Sequence, residues 1–274
     1  MAAAKDAQIG RASRAAGARR EAGLPTDERQ ADAAAHSMSS ARSDKGAPFA
    51  NRRPKDASTL IVLRRKADTF RILMGRRSEH HAFMPGAVVF PGGRVDRGDW
   101  SAPSVDELHP NVAAKLTLSI RSADPRRSRA IALAGIRETF EETGIAIGRK
   151  GGVAGRRRGL GWHAFLATGV VPTLSPLRLI ARAITPPRRS RRFDARFFAV
   201  FDEAIAAEVD VPDDELLDPC WLTFEEARDN RLPLITRTVL DLLEARLARD
   251  PNLNADDPVP FYVTRHGRHL VEHL

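Results

Sequence analysis

The chain has 274 residues, of which 42% are hydrophobic and 29% charged, a composition typical of a globular protein. No apolar run approaches the roughly 20 residues that a membrane-spanning helix requires, and the first residues lack the apolar core of a signal peptide. Cys220 is the only cysteine, which excludes an intrachain disulfide and a cysteine-based zinc site. These features predict a cytoplasmic protein that does not associate with membranes.

The net charge of +9 favours anionic partners, which are phosphates, nucleic acid or an acidic surface. Arginine dominates over lysine and alanine is abundant, so the base composition of the genome explains the charge equally well.

Residues 1 to about 55 are rich in Ala, Arg, Ser, Asp and Gly. Such a segment cannot bury enough apolar surface to offset the entropy cost of ordering it. We predict a disordered basic tail there, with Met38 as an alternative start of the chain. A basic arm that binds nucleic acid is the other interpretation. The folded domain is predicted over 56–274.

Runs rich in β-forming residues at 59–63 and 70–74 predict a hairpin at the start of this domain. A third apolar run, 87–90, stops at Pro91-Gly92-Gly93, where glycine permits backbone angles and close approaches that other residues do not. Residues 100–128 form an insertion that we expect to be helical, because its apolar residues recur at helical spacing. Further elements are predicted as strands at 177–184, 196–201 and 261–263, and as helices at 162–167, 224–229 and 235–249.

The most informative element is a helix predicted from a cap at Asp124 or Ser128 to Gly144. At about 100° per residue, it places three carboxylates within a wedge of roughly 100°: Glu138, Glu141 and Glu142. Gly135 lies near this wedge one turn earlier, and we expect its small size to leave room for a ligand.

Carboxylates at i, i+3 and i+4 repel one another by a few tenths of a kcal/mol per pair, and they lie at the helix end that disfavours anions. A divalent cation would neutralise them, and ligands that are all oxygen suit Mg²⁺ or Mn²⁺. A solvated acidic face is the alternative for these residues taken alone. The flanking Arg137 and Gly144 and the upstream Gly92-Gly93 turn favour a site.

These residues resemble the Nudix box, written Gly, five residues, Glu, seven residues, Arg-Glu-aliphatic-any-Glu-Glu-any-Gly-aliphatic. The run RETFEETGI at 137–145 matches the second half, with Thr139 in the aliphatic position. The run GRVDRGD at 93–99 matches the first half, with Asp99 in place of Glu. An insertion of about thirty residues separates the halves, which is longer than an ordinary connection.

The branch of the family that resembles the peroxisomal coenzyme A diphosphatases also carries an insertion inside the box. This chain is similar to that branch before the box, in FMPGAVVFPGG at 83–93, and after it, in TP at 185–186 and RRFDARFF at 191–198. The resemblance covers roughly 58–250. It implies an α/β protein with the Nudix fold, an α/β/α sandwich with a mixed central β-sheet.

What the resemblance implies is metal-dependent hydrolysis of the pyrophosphate bond in a nucleoside diphosphate linked to another moiety. Glu138 and Glu142 are the expected ligands of Mg²⁺ or Mn²⁺, with Glu141 as a third ligand or shared partner. Gly93 is expected to add its carbonyl oxygen and, with Gly92, to contact substrate. Arg137 is expected to orient a carboxylate through a bidentate pair. Glu141 and Glu142 are therefore counted among the catalytic residues.

The general base in this family comes from the box or from a distant loop. Glu215, in the acidic run 213–215, is our candidate, and an ordinary acidic turn is the alternative. Four arginines are candidates for binding substrate phosphates, with solvated strand edges as the equal alternative: Arg76, Arg77, Arg191 and Arg192.

Two other functions stay open. A Nudix fold that only senses a nucleotide or binds a protein is conceivable because Asp99 and Thr139 depart from the box, although binding alone does not require three carboxylates. A nucleic-acid-binding protein is less favoured, since we find no aromatic and basic platform for bases. Coenzyme A, ADP-ribose, dinucleotide polyphosphates and nucleotide sugars all present the same pyrophosphate, so the sequence does not choose among them. It leaves the oligomeric state open as well, with a homodimer as one option.

Overall fold

A computed structural model describes residues 52–67, 69–79, 85–120, 124–151, 161–210, 216–253 and 256–274. The predicted tail up to residue 51, with Met38, lies outside these residues, and so does the predicted base Glu215. No helix in the described ranges is long and apolar enough to cross a membrane.

The larger sheet is mixed and consists of β1 Lys55–Lys66, β2 Thr69–Arg77, β3 Val88–Val89, β4 Gly92–Arg94, β7 Arg178–Ile184, β8 Phe193–Phe201, β10 Leu216–Leu222, β11 Pro260–Arg265 and β12 Arg268–His273. Its strands follow the spatial order β10-β2-β1-β8-β7-β11-β12, with β3 added to β2 and β4 added to β1. Strand β1 runs parallel to β8 and β11 runs parallel to β7, whereas the other pairs are antiparallel.

A smaller sheet has the order β6-β5-β9, formed by β5 Ile145–Lys150, β6 Val170–Pro172 and β9 Ile205–Glu208. The helices are α1 Pro110–Thr117, α2 Pro125–Thr143, α3 His163–Ala167, α4 Phe224–Arg228 and α5 Leu234–Arg249. Two short 3₁₀ helices cover Arg97–Trp100 and Asp202–Ala204.

Helices cover both faces of the large sheet, and strand β1 shows why. Its side chains alternate between two cores: Leu60 and Val62 pack with the apolar side of α2, whereas Ile61 and Leu63 pack with α5. A strand buried on both faces reads as a continuous apolar run, which is how 59–63 appears in the sequence. The predicted α/β/α sandwich with a mixed sheet is confirmed.

Helix α2 begins and ends where its sequence favours it. The carboxylate of Asp124 accepts a hydrogen bond from the amide of Arg126 at 2.9 Å, and Pro125 occupies the first turn. Gly144 ends the helix in the left-handed conformation, with φ of 73°. A Cβ there would overlap the carbonyl oxygen of Val209, so only glycine fits this cap. Of the two predicted caps, Asp124 is therefore the one used.

In the described part of the insertion, which leaves out 121–123, only α1 Pro110–Thr117 is an α-helix, and residues 125–128 belong to α2. This part is less helical than predicted. Asp106 fixes the irregular part of the insertion to the loop between β6 and β7. Its carboxylate accepts hydrogen bonds from the backbone amides of Leu174 and Ser175 and from the hydroxyls of Thr173 and Ser175, at 2.6–3.2 Å. A loop held by one carboxylate needs no helical periodicity, which explains the difference.

We expect Asp106→Asn to loosen the insertion by about 1–3 kcal/mol, because a neutral amide cannot accept all four hydrogen bonds. Burial disfavours the ionised carboxylate, but the bonds from Thr173, Ser175 and Leu174 outweigh burial and hold the pKa of Asp106 below its ordinary value of 3.8. The folded pKa is thus below the unfolded one. The stabilisation is complete above about pH 4 and is lost as the pH falls through the folded pKa.

Hydrogen exchange over residues 101–120 measures the effect of Asp106→Asn. Glu107→Gln, at an exposed pair with Arg129, is the control, and equal exchange in both variants would contradict the anchoring role.

Candidate active site

The Gly-Gly turn predicted after the third strand forms β4, which pairs with β1 so that Gly92 lies opposite Thr59 and Gly93 lies opposite Ser58. Gly92 has φ of 155°. A Cβ on Gly92 would lie 2.5 Å from the carbonyl oxygen of Ser58 and 2.7 Å from the Cα of Thr59. These are backbone atoms and cannot move aside, so β4 approaches β1 this closely only with glycine at position 92.

Two carboxylates of α2 reach this turn. Oε2 of Glu142 accepts a hydrogen bond from the backbone amide of Gly92 at 2.9 Å. The carboxylate of Glu138 occupies the space that a side chain at residue 93 would fill, since a Cβ on Gly93 would lie 2.5 Å from its Oε2. The structure therefore brings together four of the predicted site residues from two distant parts of the sequence: Gly92, Gly93, Glu138 and Glu142.

Arg137 is the centre of the charge network beside this turn, and its side chain is only 4% exposed. Its Nε and Nη2 donate to the two carboxylate oxygens of Asp99 at 2.9 and 3.2 Å. Nη1 donates to Glu141 at 2.7 Å, and Nη2 lies 3.0 Å from Oε1 of Glu138. The predicted role of Arg137 as a bidentate partner that orients carboxylates agrees with these contacts.

Asp99 is completely buried and has partners on every side. Besides Arg137, it accepts a hydrogen bond from the indole Nε1 of Trp162 at 2.9 Å and from the amide of Asp96 at 2.7 Å. The Asp in place of the box Glu thus supplies the carboxylate that neutralises Arg137. The insertion between the box halves does not separate them in space.

The electrostatics of this network favour a bound cation, because one guanidinium faces three carboxylates. Burial raises the pKa of Glu138 to about 7, Arg137 opposes the rise, and Glu141 adds to it. Burial also raises the pKa of Glu141. A carboxylate that is costly to ionise in this position becomes easy to ionise beside a divalent cation.

The donor set fits Mg²⁺ or Mn²⁺, since it consists of carboxylate oxygens and the backbone of the Gly92–Gly93 turn. Within the described ranges, however, no three His, Cys, Asp or Glu side chains are grouped as in a formed metal site. Glu138 and Glu141 turn toward Arg137, and Glu142 turns toward Gly92. Rotation of these side chains about their χ angles is required for a common ligand.

Gly135 does not face a ligand, contrary to our expectation. A Cβ on Gly135 would lie 2.6 Å from the hydroxyl of Ser58 and 3.7 Å from the Cβ of Leu60, so this glycine lets α2 pack closely on β1. Thr139, the departure from the aliphatic position of the box, is fully buried. Its hydroxyl donates to the carbonyl oxygen of Gly135 at 2.8 Å, which removes the cost of burying it.

The paired arginines at the end of β2 separate onto opposite faces of the sheet. Arg76 lies on the face of Ile72 and Met74, away from α2, and donates to the carbonyl oxygen of Gly86 and to Asn230 at 3.3 and 3.4 Å. The structure does not bring Arg76 to the carboxylates. Arg77, one residue later, lies on the α2 face because strand side chains alternate.

The arginines at the turn between β7 and β8 lie beside the start of β1, where Phe193 is opposite Lys55. Arg192 donates to the carbonyl oxygens of Thr185 and Arg52 at 3.1 and 2.7 Å, and so ties this turn to the chain before β1. Arg191 is exposed beside it. Neither has a described contact with the carboxylates of α2.

Comparison with known proteins places these features in one family. A Nudix hydrolase from Alicyclobacillus acidocaldarius superposes with a TM-score of 0.51 at 26% sequence identity, over 70% of this chain and 92% of that chain. In sequence, the acyl-coenzyme A diphosphatase NUDT19 of Xenopus laevis is 30% identical over 96 residues, a match that covers 28% of this chain. The match spans 25% of the length of that relative. No protein-family model matches the chain.

A mixed sheet between helical layers, with the carboxylates of a split box at a Gly-Gly turn, defines a Nudix-fold protein with an acidic candidate active site. The chain belongs to the Nudix hydrolase superfamily, which confirms the family predicted from its sequence.

Proposed function

We propose that this protein hydrolyses the pyrophosphate bond of a nucleoside diphosphate derivative and uses Mg²⁺ or Mn²⁺ to do so. The observation that supports this most strongly is the position of two carboxylates at one turn. Glu138 lies against Gly93, and Glu142 accepts a hydrogen bond from Gly92. A solvated acidic face, the alternative from sequence, does not account for a carboxylate buried against the backbone of a distant strand.

In this proposal Glu138 and Glu142 hold the cation, with Glu141 as a third ligand or shared partner and Gly93 contributing its carbonyl oxygen. When bound, a divalent cation polarises phosphoryl oxygens and lowers the pKa of the attacking water. Arg137 fixes the carboxylates in place. Gly92 and Gly93 contact the substrate through their backbone, since β1 and Glu138 occupy the space that their side chains would fill.

The proton of the attacking water requires a base, and Glu215 stays our prediction for it. It immediately precedes β10, whose first residue, Leu216, is opposite Arg77. Arg77, on the α2 face, and Arg191, which is exposed, are the better candidates for substrate phosphates. Arg76 lies on the face of the sheet away from α2, and Arg192 holds the turn between β7 and β8 to the chain before β1.

The substrate we favour is a coenzyme A derivative. The similarity to an acyl-coenzyme A diphosphatase over 96 residues supports this choice, as does the insertion inside the box. ADP-ribose, dinucleotide polyphosphates and nucleotide sugars present the same reacting group and are the alternatives.

A panel of these four substrate classes, assayed with Mg²⁺ and separately with Mn²⁺, tests the proposal. We expect metal-dependent cleavage with the highest kcat/KM for a coenzyme A derivative. Glu142→Gln is expected to lower kcat/KM about 100-fold or more, because the loss of one ligand displaces the reacting groups.

The matched control is Glu225→Gln, an exposed position on α4, which should leave kcat/KM unchanged. Products separated by chromatography show which bond has been broken. Equal turnover by the parent and Glu142→Gln would remove the catalytic assignment. The lack of cleavage of every substrate with either metal would overturn the proposed function.

A further inference from the structure

A row of paired residues crosses the large sheet on the face that α2 covers. The pairing registers join one residue from each of five adjacent strands, β4, β1, β8, β7 and β11. Because paired residues point to the same face of a sheet, all five face the layer that contains α2. The members are Gly93, Ser58, Arg196, Arg182 and Phe261.

One end of this row is the candidate active site, because the carboxylate of Glu138 fills the side-chain space at Gly93. Ser58 is the next member. It is 1% exposed, and its hydroxyl has no hydrogen-bond partner in the protein. Side chains paired across two strands have Cβ atoms about 4.5–5.5 Å apart. The hydroxyl of Ser58 makes no direct bond to the Glu138 carboxylate, but this spacing places the two groups within reach of one bridging water.

Arg196, the third member, is completely buried. Only its Nη1 has partners, at 2.8 Å from Asp56 and 2.7 Å from the carbonyl oxygen of Asp194. Its Nε and Nη2 have no acceptor in the protein. Buried donors on a cation without acceptors are rare in folded proteins. Arg196 is paired with Ser58 across adjacent strands, so the residues with these unpaired donors and with the unpaired hydroxyl are neighbours in the row.

Ion pairs and hydrogen bonds hold Arg196 and Arg182, the two arginines of the row on the side away from Gly93. Asp56, which binds Arg196, also makes a bidentate pair with Arg127 near the start of α2, at 2.7 and 2.8 Å. Arg182 makes a bidentate pair with Asp194 at 2.9 and 2.8 Å and donates to the carbonyl oxygen of Leu118 at 3.0 Å. The guanidinium of Arg196 is thereby fixed to the start of α2 and, through Asp194 and Arg182, to the insertion.

We propose that Ser58 and Arg196 are positioning residues that hold the Glu138 carboxylate against the Gly93 turn. One bridging water joins the hydroxyl of Ser58 to the unpaired donors of Arg196, and a second joins that hydroxyl to the Glu138 carboxylate. The insertion, linked to the same row through Leu118, supports this arrangement from the side of β7. The inference rests on the proposed function, since it assigns a metal-binding role to Glu138.

A titration of the full chain with Mn²⁺ tests this inference without turnover. The electron paramagnetic resonance signal of free Mn²⁺ measures how much of the metal is bound. Ser58→Ala is expected to raise the dissociation constant about 10-fold, the lower end for residues that support a metal ligand. The thermal midpoint should change little, because the hydroxyl of Ser58 makes no direct hydrogen bond within the fold. Arg196→Lys should weaken binding less than Arg196→Met.

Two buried residues away from the row are matched controls. Ser128 is a buried serine of α2, ten residues or about 15 Å before Glu138. Arg246 is a buried arginine of α5, bonded to the carbonyl oxygen of Leu179. Ser128→Ala and Arg246→Lys should leave Mn²⁺ affinity unchanged.

Equal Mn²⁺ affinity in Ser58→Ala and Ser128→Ala would overturn the positioning role, whatever the outcome of the substrate panel. The opposite combination is also possible: the parent cleaves none of the four substrate classes, but Ser58→Ala binds Mn²⁺ more weakly than the parent. That result would support the positioning role and leave the proposed hydrolysis unsupported.

Discussion

Asp99→Asn is expected to lower the free energy of unfolding by about 3–5 kcal/mol, the usual cost of removing one partner from a buried ion pair. Asp99 is completely buried and binds the nearly buried guanidinium of Arg137 with both oxygens. Whichever oxygen the amide replaces, it faces either the backbone N–H of Asp96 or the indole N–H of Trp162, so two donors would oppose each other. Urea unfolding followed by circular dichroism measures the loss.

The control for this substitution is Asp241→Asn. Asp241 pairs with Arg228 at 3.0 Å, but its side chain is 49% exposed, and exposed pairs contribute about 1 kcal/mol or less. If Asp99→Asn were as mild as this control, Arg137 would have to be neutralised by Glu138 and Glu141 alone. The carboxylates would then be fixed by their mutual contacts, and not from behind by Asp99.

The sequence predicted helix α2 well because the signals for this helix are local. A cap at Asp124, an apolar stripe and a left-handed glycine at 144 are each readable from a few adjacent residues, and α2 uses all three. The Gly92-Gly93 turn was predictable for the same reason. Its meeting with Glu138 and Glu142 followed only from the family resemblance, since no local pattern joins residues that are about fifty positions apart.

Strands and side-chain directions that depend on pairing between strands were not predicted from the sequence. Strands β5, β6 and β9 are short, and their partners are distant in sequence, so alternation alone did not reveal them. Strand β12 pairs with the adjacent β11 but is mostly exposed, so it shows no apolar alternation. Strand β10, next to the predicted base, is interrupted by a bulge between Leu217 and Cys220. The arginines at 76 and 77 were treated as equivalent, although alternation of side chains in β2 gives them opposite faces.

The support behind the carboxylates was partly visible in the sequence. Asp99 occupies the position of the box Glu, so its charge was readable, but its bond to Trp162 depends on a helix that begins beyond the second half of the box. Ser58 carries no sequence signal at all. Its significance comes from the registers that place it between Gly93 and Arg196, which only a three-dimensional structure provides.

The two glycines of the turn allow catalysis and folding to be separated. A Cβ on Gly93 meets the carboxylate of Glu138, which is the far end of a flexible side chain. Gly93→Ala is therefore expected to keep the fold but to displace Glu138, and a displacement of about 1 Å in an active site costs about 100-fold in rate. Metal-dependent kcat/KM, measured with the best substrate of the panel, should fall by about that factor.

Gly92→Ala is the companion variant, because its Cβ meets backbone atoms of Ser58 and Thr59 that cannot move aside. It should destabilise the protein by about 1–3 kcal/mol, the range for a strained backbone residue, and lose activity as a consequence. The thermal midpoint distinguishes the two variants: it should fall for Gly92→Ala and stay near that of the parent for Gly93→Ala. Full activity in a well-folded Gly93→Ala would mean that the contact between Glu138 and the turn is dispensable. The cation would then have to be held by Glu141 and Glu142, without the carboxylate of Glu138, which is more deeply buried than that of Glu141.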